Sequence, residues 1–225
     1  ARARLIDDRA TGIDPAAQRV SLASGGSAHY ELLSIDVGST SAGAEAAGVC
    51  DHVVSVKPIE GLLAGVEKLR QRARGGSLGR VAVVGAGAAG VEVALTLQHR
   101  LRGETGALPA FLILTDTPHV MPGHDGRARR IVERILGERG VAVVAGTPVA
   151  AVTAAGIALA GGRQVPSAAV VWATGPGAAP WLRDTGLALD ARGFIAVDRT
   201  LRSTSHANVF AAGDCATRVE DPQPK

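Results

Sequence analysis

The sequence predicts an α/β fold built around a parallel sheet. Between residues 80 and 145, short apolar runs alternate with stretches of helical periodicity, in the order strand, helix, strand, helix, strand. Three further short runs, at 150–152, 156–159 and 164–165, are separated by turn residues and predict an antiparallel β-meander. A last apolar run at 169–173 completes the pattern. We therefore expect a parallel sheet that carries a meander.

Glycines follow the first of these strands at the spacing G-x-G-x-x-G. Gly85 permits a tight strand-to-helix turn, Gly87 lets the backbone approach a diphosphate closely, and Gly90 lets the helix pack against the strand. The N–H groups that begin the helix, at Ala88 and Ala89, then face the phosphates together with the positive end of the helix dipole. The pattern predicts a Rossmann-like dinucleotide-binding unit, and a glycine-rich structural turn is the alternative.

An acidic residue ends the second predicted strand. Asp116 lies close to the place where a dinucleotide fold carries an acid that accepts hydrogen bonds from the adenosine ribose. Thr115 is an alternative equivalent of that acid, and aspartate is also common in ordinary turns. The acid favours NAD(H) over NADP(H), whereas Arg127, Arg129 and Arg130 leave a partner for a 2′-phosphate open.

Composition excludes several classes of function. The 225 residues carry a formal net charge of +3, only 3% are aromatic, and the arginines are scattered, so a nucleic-acid partner is not expected. Cys50 and Cys215 lie far apart without metal-ligand spacing, which predicts a reduced, cytoplasmic protein with no metal site. The longest apolar run, 81–91, is too short to span a bilayer and leaves only peripheral membrane contact open.

Other apolar patterns predict the remaining elements. Runs at 3–6, 19–22 and 30–35 predict a small meander at the start of the chain, and a helix is expected at 126–138. Pro58 predicts the first position of another helix. Its apolar residues recur at helical spacing and predict the buried face: Ile59, Leu62, Leu63, Val66 and Leu69.

Several motifs, in this order, resemble a family of flavoproteins with two dinucleotide-binding domains. They are the glycine fingerprint unit, the meander and the runs 171–175, 193–198 and 208–214. The resemblance is to the pyridine nucleotide-disulfide oxidoreductases and type II NADH dehydrogenases. Within this group the chain is most similar to the FAD/NAD(P)-dependent oxidoreductase that is joined to, or encoded beside, selenide, water dikinase. The residues that carry this finer similarity are 33–39, 121–124 and 181–187.

The resemblance implies an FAD-binding domain that is split in sequence by an inserted NAD(P)-binding domain. Residues 1–57 would be the later part of the first FAD segment, 58–178 the NAD(P) domain, and 179–225 the returning FAD segment. This chain has one G-x-G-x-x-G, and the flavin-side copy of the family belongs upstream of residue 1. We therefore expect a fragment that lacks the main FAD phosphate cradle and is inactive alone.

The resemblance also implies roles for individual residues. Asp214 would reach a ribityl hydroxyl of FAD from the turn at Gly213, or else cap the segment that follows. Glu92 would lie where nicotinamide meets the flavin, or else complement the helix dipole. Gly175 would lie over the NAD pocket, or else serve an ordinary turn. The run 36–38, Asp-Val-Gly, departs from the Ala-Thr-Gly that is common in the family.

The activity that the resemblance implies is that of an NAD(P)H-dependent flavoprotein oxidoreductase. Hydride would pass from NAD(P)H to FAD and the electrons then to a small-molecule acceptor, which is a quinone, a disulfide or a selenium compound. No side chain is assigned a catalytic role, and a homodimer is left open. The alternative is a non-catalytic dinucleotide-binding module that docks to or regulates a selenide, water dikinase partner.

Overall fold

A computed structural model describes residues 3–104 and 108–223 of the chain. The chain divides into two compact units, of which one comprises Ala1–Thr40 and Pro176–Lys225 and the other Ser41–Gly175. No helix within the described ranges is both long enough and apolar enough to cross a membrane.

The elements of the described residues are numbered in chain order. The α-helices are α1 (Val49–His52), α2 (Ile59–Arg74), α3 (Ala88–Arg102) and α4 (Gly126–Glu138), and 3₁₀-helices run over Pro180–Asp184 and Gly213–Cys215. The strands are β1 (Ala10–Asp14), β2 (Arg19–Leu22), β3 (Ser27–His29), β4 (Leu33–Ile35), β5 (Thr40–Ser41), β6 (Val53–Ser55), β7 (Arg80–Val84), β8 (Ala110–Leu114), β9 (Val141–Val144), β10 (Val149–Thr153), β11 (Gly156–Leu159), β12 (Gln164–Pro166), β13 (Ala169–Trp172), β14 (Pro176–Gly177), β15 (Ile195–Val197), β16 (Val209–Ala211) and β17 (Ala216–Arg218).

The unit Ser41–Gly175 is built on a parallel sheet with the strand order β6-β13-β7-β8-β9. Strand β13 is buried throughout and β7 and β8 are buried after their first residue, which is the pattern of strands covered on both faces. The register pairs Val84 with both Leu114 and Trp172. The carboxyl ends of β7, β8 and β13 therefore lie together at one edge. The predicted α/β fold with a parallel sheet is confirmed.

Helices and the meander cover opposite faces of this sheet. Val83 and Ile113 pack in one cluster with Leu97 of α3. Leu114, the next residue on β8, packs in a second cluster with Ile157 of the meander. Alternate residues of a strand point to opposite faces of the sheet, which explains why Ile113 and Leu114 belong to different clusters. Strands β10, β11 and β12 pair antiparallel, as predicted.

Helix α2 runs over Ile59–Arg74 with Pro58 as its N-cap rather than its first residue, and only part of its predicted face is buried. Leu69 is 3% exposed and Val66 packs against the same core cluster, whereas Ile59 and Leu63 are 56% and 64% exposed. The helix meets β6 through Gly65, where a Cβ would collide with the side chain of Val54. A glycine thus brings the helix close to the sheet, and the two larger residues lie outside that contact.

The other unit begins with the antiparallel sheet β1-β2-β3, but its first strand is not at the predicted place. Residues 3–6 form no strand, and Leu5 is 88% exposed. Strand β1 contains one large apolar residue, Ile13, and pairs with β2 across a short turn. One large apolar residue is too few to predict a strand from an apolar run. The strand forms because a short turn places it beside β2, with which it pairs.

Only the second half of the predicted strand at 30–35 is a strand in the structure. Residues Leu33–Ile35 form β4, whereas the third strand of the meander, β3, is Ser27–His29 and precedes the predicted run. Strand β4 pairs in parallel with β16 near the end of the chain, and β15 pairs in parallel with β17. The carboxyl ends of β4 and β16 therefore meet at one edge, which brings together segments far apart in sequence.

The compact units divide at 40/41 and 175/176, whereas the domain boundaries were expected at 57/58 and 178/179. Residues 41–57 pack with the second unit because β6 joins the edge of its parallel sheet. Val49 of α1 is 2% exposed and lies in the cluster that contains Trp172. The cofactor that each unit holds stays a prediction.

Candidate functional site

The glycine fingerprint lies between the carboxyl ends of two strands. The N–H of Gly85 donates to the carbonyl of Leu114 at the end of β8 (2.8 Å), and the N–H of Ala173, just past β13, donates to the carbonyl of Val84 (2.8 Å). The loop that follows β7 is therefore fixed at the centre of the sheet edge. In open α/β folds this edge is where ligands bind.

The three fingerprint glycines have different surroundings. Gly85 has φ +111°, and a Cβ there would collide with the carbonyl of Ala173. A Cβ on Gly90 would collide with the carbonyl of Gly85, so this glycine is what lets the helix approach the strand. Gly87 differs because a Cβ there would meet no atom within 4 Å. The first and third glycines are required by the fold, and the second borders open space.

The start of helix α3 lacks a side-chain cap. Its N-cap is Gly87, no side chain accepts from its first turn, and Ala88 and Ala89 are exposed. Helix α4 offers the contrast within the same unit, because its N-cap Asp125 accepts from the N–H groups of Arg127 and Ala128. The first-turn N–H groups of α3 are thus left available for an anionic ligand.

The cap on α4 also has an electrostatic signature. The backbone N–H groups of Ala128 and Arg127 donate to Asp125 and lower the pKa of its carboxyl group below the ordinary value of 3.8. Hydrogen bonds to the charged form of a carboxylate favour that form. Asp125 therefore holds a stable negative charge at the start of α4.

Glu92 lies on the exposed side of α3. It is the fifth residue of that helix, one turn after Ala88, and both side chains are exposed. Side chains of a helix lean toward its N-terminus, so the carboxylate of Glu92 extends in the direction of the open helix start. Its expected place near nicotinamide stays a prediction.

Asp116 follows β8 at the same sheet edge. Its side chain is exposed, whereas Thr115 is 6% exposed and its hydroxyl lies 2.7 Å from the hydroxyl of Thr117. The two candidates for the ribose-binding residue therefore differ in availability. The hydroxyl of Thr115 is engaged within the loop, and the carboxylate of Asp116 is accessible to a ligand.

The loop after Asp116 returns to the fingerprint, which the sequence did not predict. The N–H of Met121 donates to the carbonyl of Ala86 (2.7 Å), and the backbone of Met121 has φ 54°. Val120 and Met121 are 2% and 9% exposed and pack in the helix-side core. Two adjacent large apolar residues in an otherwise polar loop were the available signal for this anchoring.

Gly175 is exposed beyond the end of β13, and a Cβ there would meet no atom within 4 Å. Its carbonyl accepts from the N–H of Ala42 (2.8 Å), while the carbonyl of Ala42 accepts from Trp172 Nε1 (2.8 Å) and Thr174 Oγ1 (2.6 Å). Ala42 thus fixes this strand end from a distant part of the chain. Gly85, Gly87, Asp116 and Gly175 are brought to the same edge of one sheet.

Gly213 and Asp214 belong to the other unit and form a separate cluster. Gly213 has φ +65°, and a Cβ there would collide with the carboxylate of Asp36. Asp214 Oδ2 accepts a hydrogen bond from Ser39 Oγ (2.9 Å). Asp36, which departs from the family pattern, therefore approaches the Gly213 turn directly, and Asp214 is held by a residue of the segment after β4.

Cys215 is a packed residue at this turn. It is buried, and its Sγ donates to the carbonyl of Ala212 (3.0 Å). Cys50 is exposed and lies in the other unit. No group of three or more potential metal ligands occurs within 3–104 and 108–223.

Both clusters fit the cofactors that the fold implies. The open position beside Gly87 and the uncapped start of α3 suit a diphosphate, and the exposed Asp116 suits a ribose. At the Gly213 turn, the short acid Asp214 stands just past the end of β16, which suits a polyol hydroxyl.

The chain is similar to known proteins over almost its whole length. Residues 2–224 match the family described as pyridine nucleotide-disulphide oxidoreductase. An NADH dehydrogenase-like protein of Mycobacterium tuberculosis is 32% identical over 220 residues, which cover 94% of this chain and 55% of that protein. The chain therefore spans about half the length of this relative.

Solved structures show the same fold. An FAD-dependent pyridine nucleotide-disulphide oxidoreductase from Desulfovibrio vulgaris has a TM-score of 0.70 at 26% identity, over 95% of this chain and 54% of that one. NDH2 from Plasmodium falciparum, in complex with NADH, has a TM-score of 0.79 at 16% identity, over 94% of this chain and 50% of that one. The second likeness concerns the fold alone. With the family match covering almost every residue, the chain belongs to the pyridine nucleotide-disulphide oxidoreductases, a family of FAD-dependent and NAD(P)H-dependent oxidoreductases.

Proposed function

We propose that the protein carrying this chain oxidises NADH with FAD as its prosthetic group and delivers the electrons to a small-molecule acceptor. The observation that carries the proposal is the open start of α3, where Gly87 borders free space and no side chain caps the helix. Backbone N–H groups at such a start bind a diphosphate and benefit from the helix dipole.

The sheet edge supports NADH as the preferred donor. Asp116 is exposed beyond β8, in the position from which a carboxylate accepts hydrogen bonds from the ribose hydroxyls. The same carboxylate repels the 2′-phosphate of NADPH, since like charges at close range are unfavourable. Arg127, Arg129 and Arg130 begin α4 and remain the residues that would serve NADPH instead.

The Gly213 turn supports a contact with the flavin cofactor. The carboxylate of Asp214 accepts a hydrogen bond from Ser39, and a carboxylate is a suitable acceptor for a ribityl hydroxyl. The hydroxyl of Ser39 thus orients the acid. The two cofactors supply the redox chemistry, hydride transfer from nicotinamide to flavin, and the protein contributes binding and orientation.

The acceptor belongs to one of three classes, namely quinones, disulfides or selenium compounds. The test uses the full-length protein, purified with its cofactor and kept free of oxygen. Adding NADH should bleach the yellow colour of the flavin, and each of a soluble quinone, a disulfide and selenite is then added to separate samples. The acceptor class is the one that restores the colour and sustains NADH oxidation.

Two results would contradict the proposal. One is a protein that binds NADH but purifies without flavin and fails to oxidise NADH whichever artificial acceptor is added. That result would favour the alternative, a dinucleotide-binding module that docks to a selenide, water dikinase partner. The other is a flavin that NADPH reduces faster than NADH, which would overturn the assignment of Asp116.

A further inference from the structure

A cavity lies in the unit Ser41–Gly175, away from the fingerprint loop. It has a volume of about 700 Å³ and opens between α2 and the strands β6 and β13. Pockets of this size hold cofactor-sized or drug-sized molecules. None of its lining residues belongs to the candidate site described above.

The cavity and the fingerprint loop are bordered by different parts of one sheet. The cavity is lined by the outer strand β6 over its whole length, Val53–Ser55, and by Ala169 and Val170 of β13. The fingerprint instead follows the last residue of β7, which pairs with β13 on the side away from β6. Because the fingerprint residues are not among those that line the cavity, a ligand in the cavity is distinct from a dinucleotide on α3.

Two cations of α2 line the cavity one helical turn apart. Lys68 and Arg72 are both exposed, and neither forms an ion pair with a carboxylate in the described part of the chain. Arg70 and Arg74 of the same helix do pair, with Glu104. Two cations of the helix are therefore neutralised by ion pairs, whereas, among the described residues, the two that line the cavity are not.

The remaining lining residues provide space, an apolar floor and a few polar groups. Gly61 borders open space, since a Cβ there would meet no atom within 4 Å. Val54 and Leu69 contribute apolar surface. The imidazole of His52 adds a possible donor, and the carboxylate of Asp51 is the acid among the lining residues. Positive charge exceeds negative charge around an amphipathic cavity.

We propose that this cavity binds a phosphate-bearing organic molecule of nucleotide size. Residues at i and i+4 lie about 5–6 Å apart at their Cβ atoms, so Lys68 and Arg72 can contact one phosphate group together. A phosphate carries up to two negative charges and matches two cations better than a carboxylate does. The organic part of the ligand lies on the floor formed by Val54 and Leu69.

The test titrates ADP into the full-length protein by calorimetry, with NAD⁺ present at saturation. We expect one ADP site whose Kd does not change when the NAD⁺ concentration is raised further. Replacing both cations, Lys68→Ala with Arg72→Ala, should weaken ADP binding by roughly tenfold or more, because charge-assisted hydrogen bonds are lost. The matched control, Arg134→Ala with Arg139→Ala, removes two cations of the same unit outside the cavity and should leave the Kd unchanged.

A second variant tests the cavity without changing charge. Gly61→Leu fills open space on the exposed side of α2 and should abolish ADP binding, while leucine in place of glycine favours the helix. The proposal is overturned if ADP does not bind, if NAD⁺ competes with it, or if binding survives both Gly61→Leu and the double replacement of Lys68 and Arg72.

Discussion

Replacing Gly87 by alanine is expected to weaken dinucleotide binding and to preserve the fold. The backbone of Gly87 has φ −69° and ψ 179°, which an alanine adopts without strain, and a Cβ would meet no atom within 4 Å. That same Cβ would occupy the space into which a diphosphate must come to reach the N–H groups of α3. The substitution therefore separates binding from folding.

The two effects have different sizes. Reduced entropy of the unfolded chain stabilises a Gly→Ala variant by about 0.4–1 kcal/mol. Alanine is the poorer N-cap, at a cost of about 0.5 kcal/mol or slightly more. The free energy of unfolding should therefore stay within about 1 kcal/mol of the original. Losing one hydrogen bond to a charged phosphate oxygen costs about 1.5–3 kcal/mol, or roughly 10- to 150-fold in Kd.

The assay measures NADH affinity by calorimetry and unfolding by denaturant on the same preparations. The control is Gly90→Ala, whose Cβ collides with the carbonyl of Gly85, so that α3 must shift from β7 at a cost of about 1–3 kcal/mol. A Gly87→Ala protein that binds NADH as tightly as the original would refute the reasoning. So would one that is as unstable as Gly90→Ala.

Three further predictions follow from single side chains. Asp116→Ser should weaken NADH binding. It should also reduce the protein's preference for NADH over NADPH, measured as the ratio of the Kd for NADPH to the Kd for NADH. Thr217→Val should raise the free energy of unfolding by about 1 kcal/mol, because its buried hydroxyl has no hydrogen-bond partner among the described residues. Its matched control, Thr185→Val, should lower that free energy by about 1–2 kcal/mol, since this buried hydroxyl donates to a backbone carbonyl at 2.7 Å. Asp125→Ala should lower the melting temperature near neutral pH. The pKa of Asp125 in the folded protein is below its ordinary value of 3.8, which applies to the unfolded chain. The stabilising effect of Asp125 is therefore fully present above pH 3.8 and is lost as the pH falls through the folded-state pKa. The melting temperatures of the two proteins should then converge in acid, and a difference that persists there would contradict the capping role.

Local chemistry made the core of the candidate site predictable. The strand β7, the turn at Gly85 and the helix after Gly90 follow from one short segment. Gly90 is required by the carbonyl of Gly85 within that segment, and Gly85 by the carbonyl at the adjoining strand end. The helix α4 was likewise expected at the residues where it occurs. In both places, periodicity and turn chemistry point to the same structure.

Contacts between distant segments could not be predicted in this way. The bond from Met121 to Ala86 and the bonds of Ala42 at the end of β13 use backbone groups, which every residue carries. The buried face of α2 was assigned from its large apolar residues, yet the structure brings the helix to the sheet through Gly65. A contact made through glycine cannot be identified from the spacing of large apolar residues.

A crystal structure of the full-length protein with NADH tests the central claim most directly. Diphosphate oxygens are predicted to lie about 2.7–3.2 Å from backbone nitrogens of the first turn of α3, with the adenosine ribose beside Asp116. A dinucleotide bound elsewhere, with solvent filling the space beside Gly87, would contradict the account.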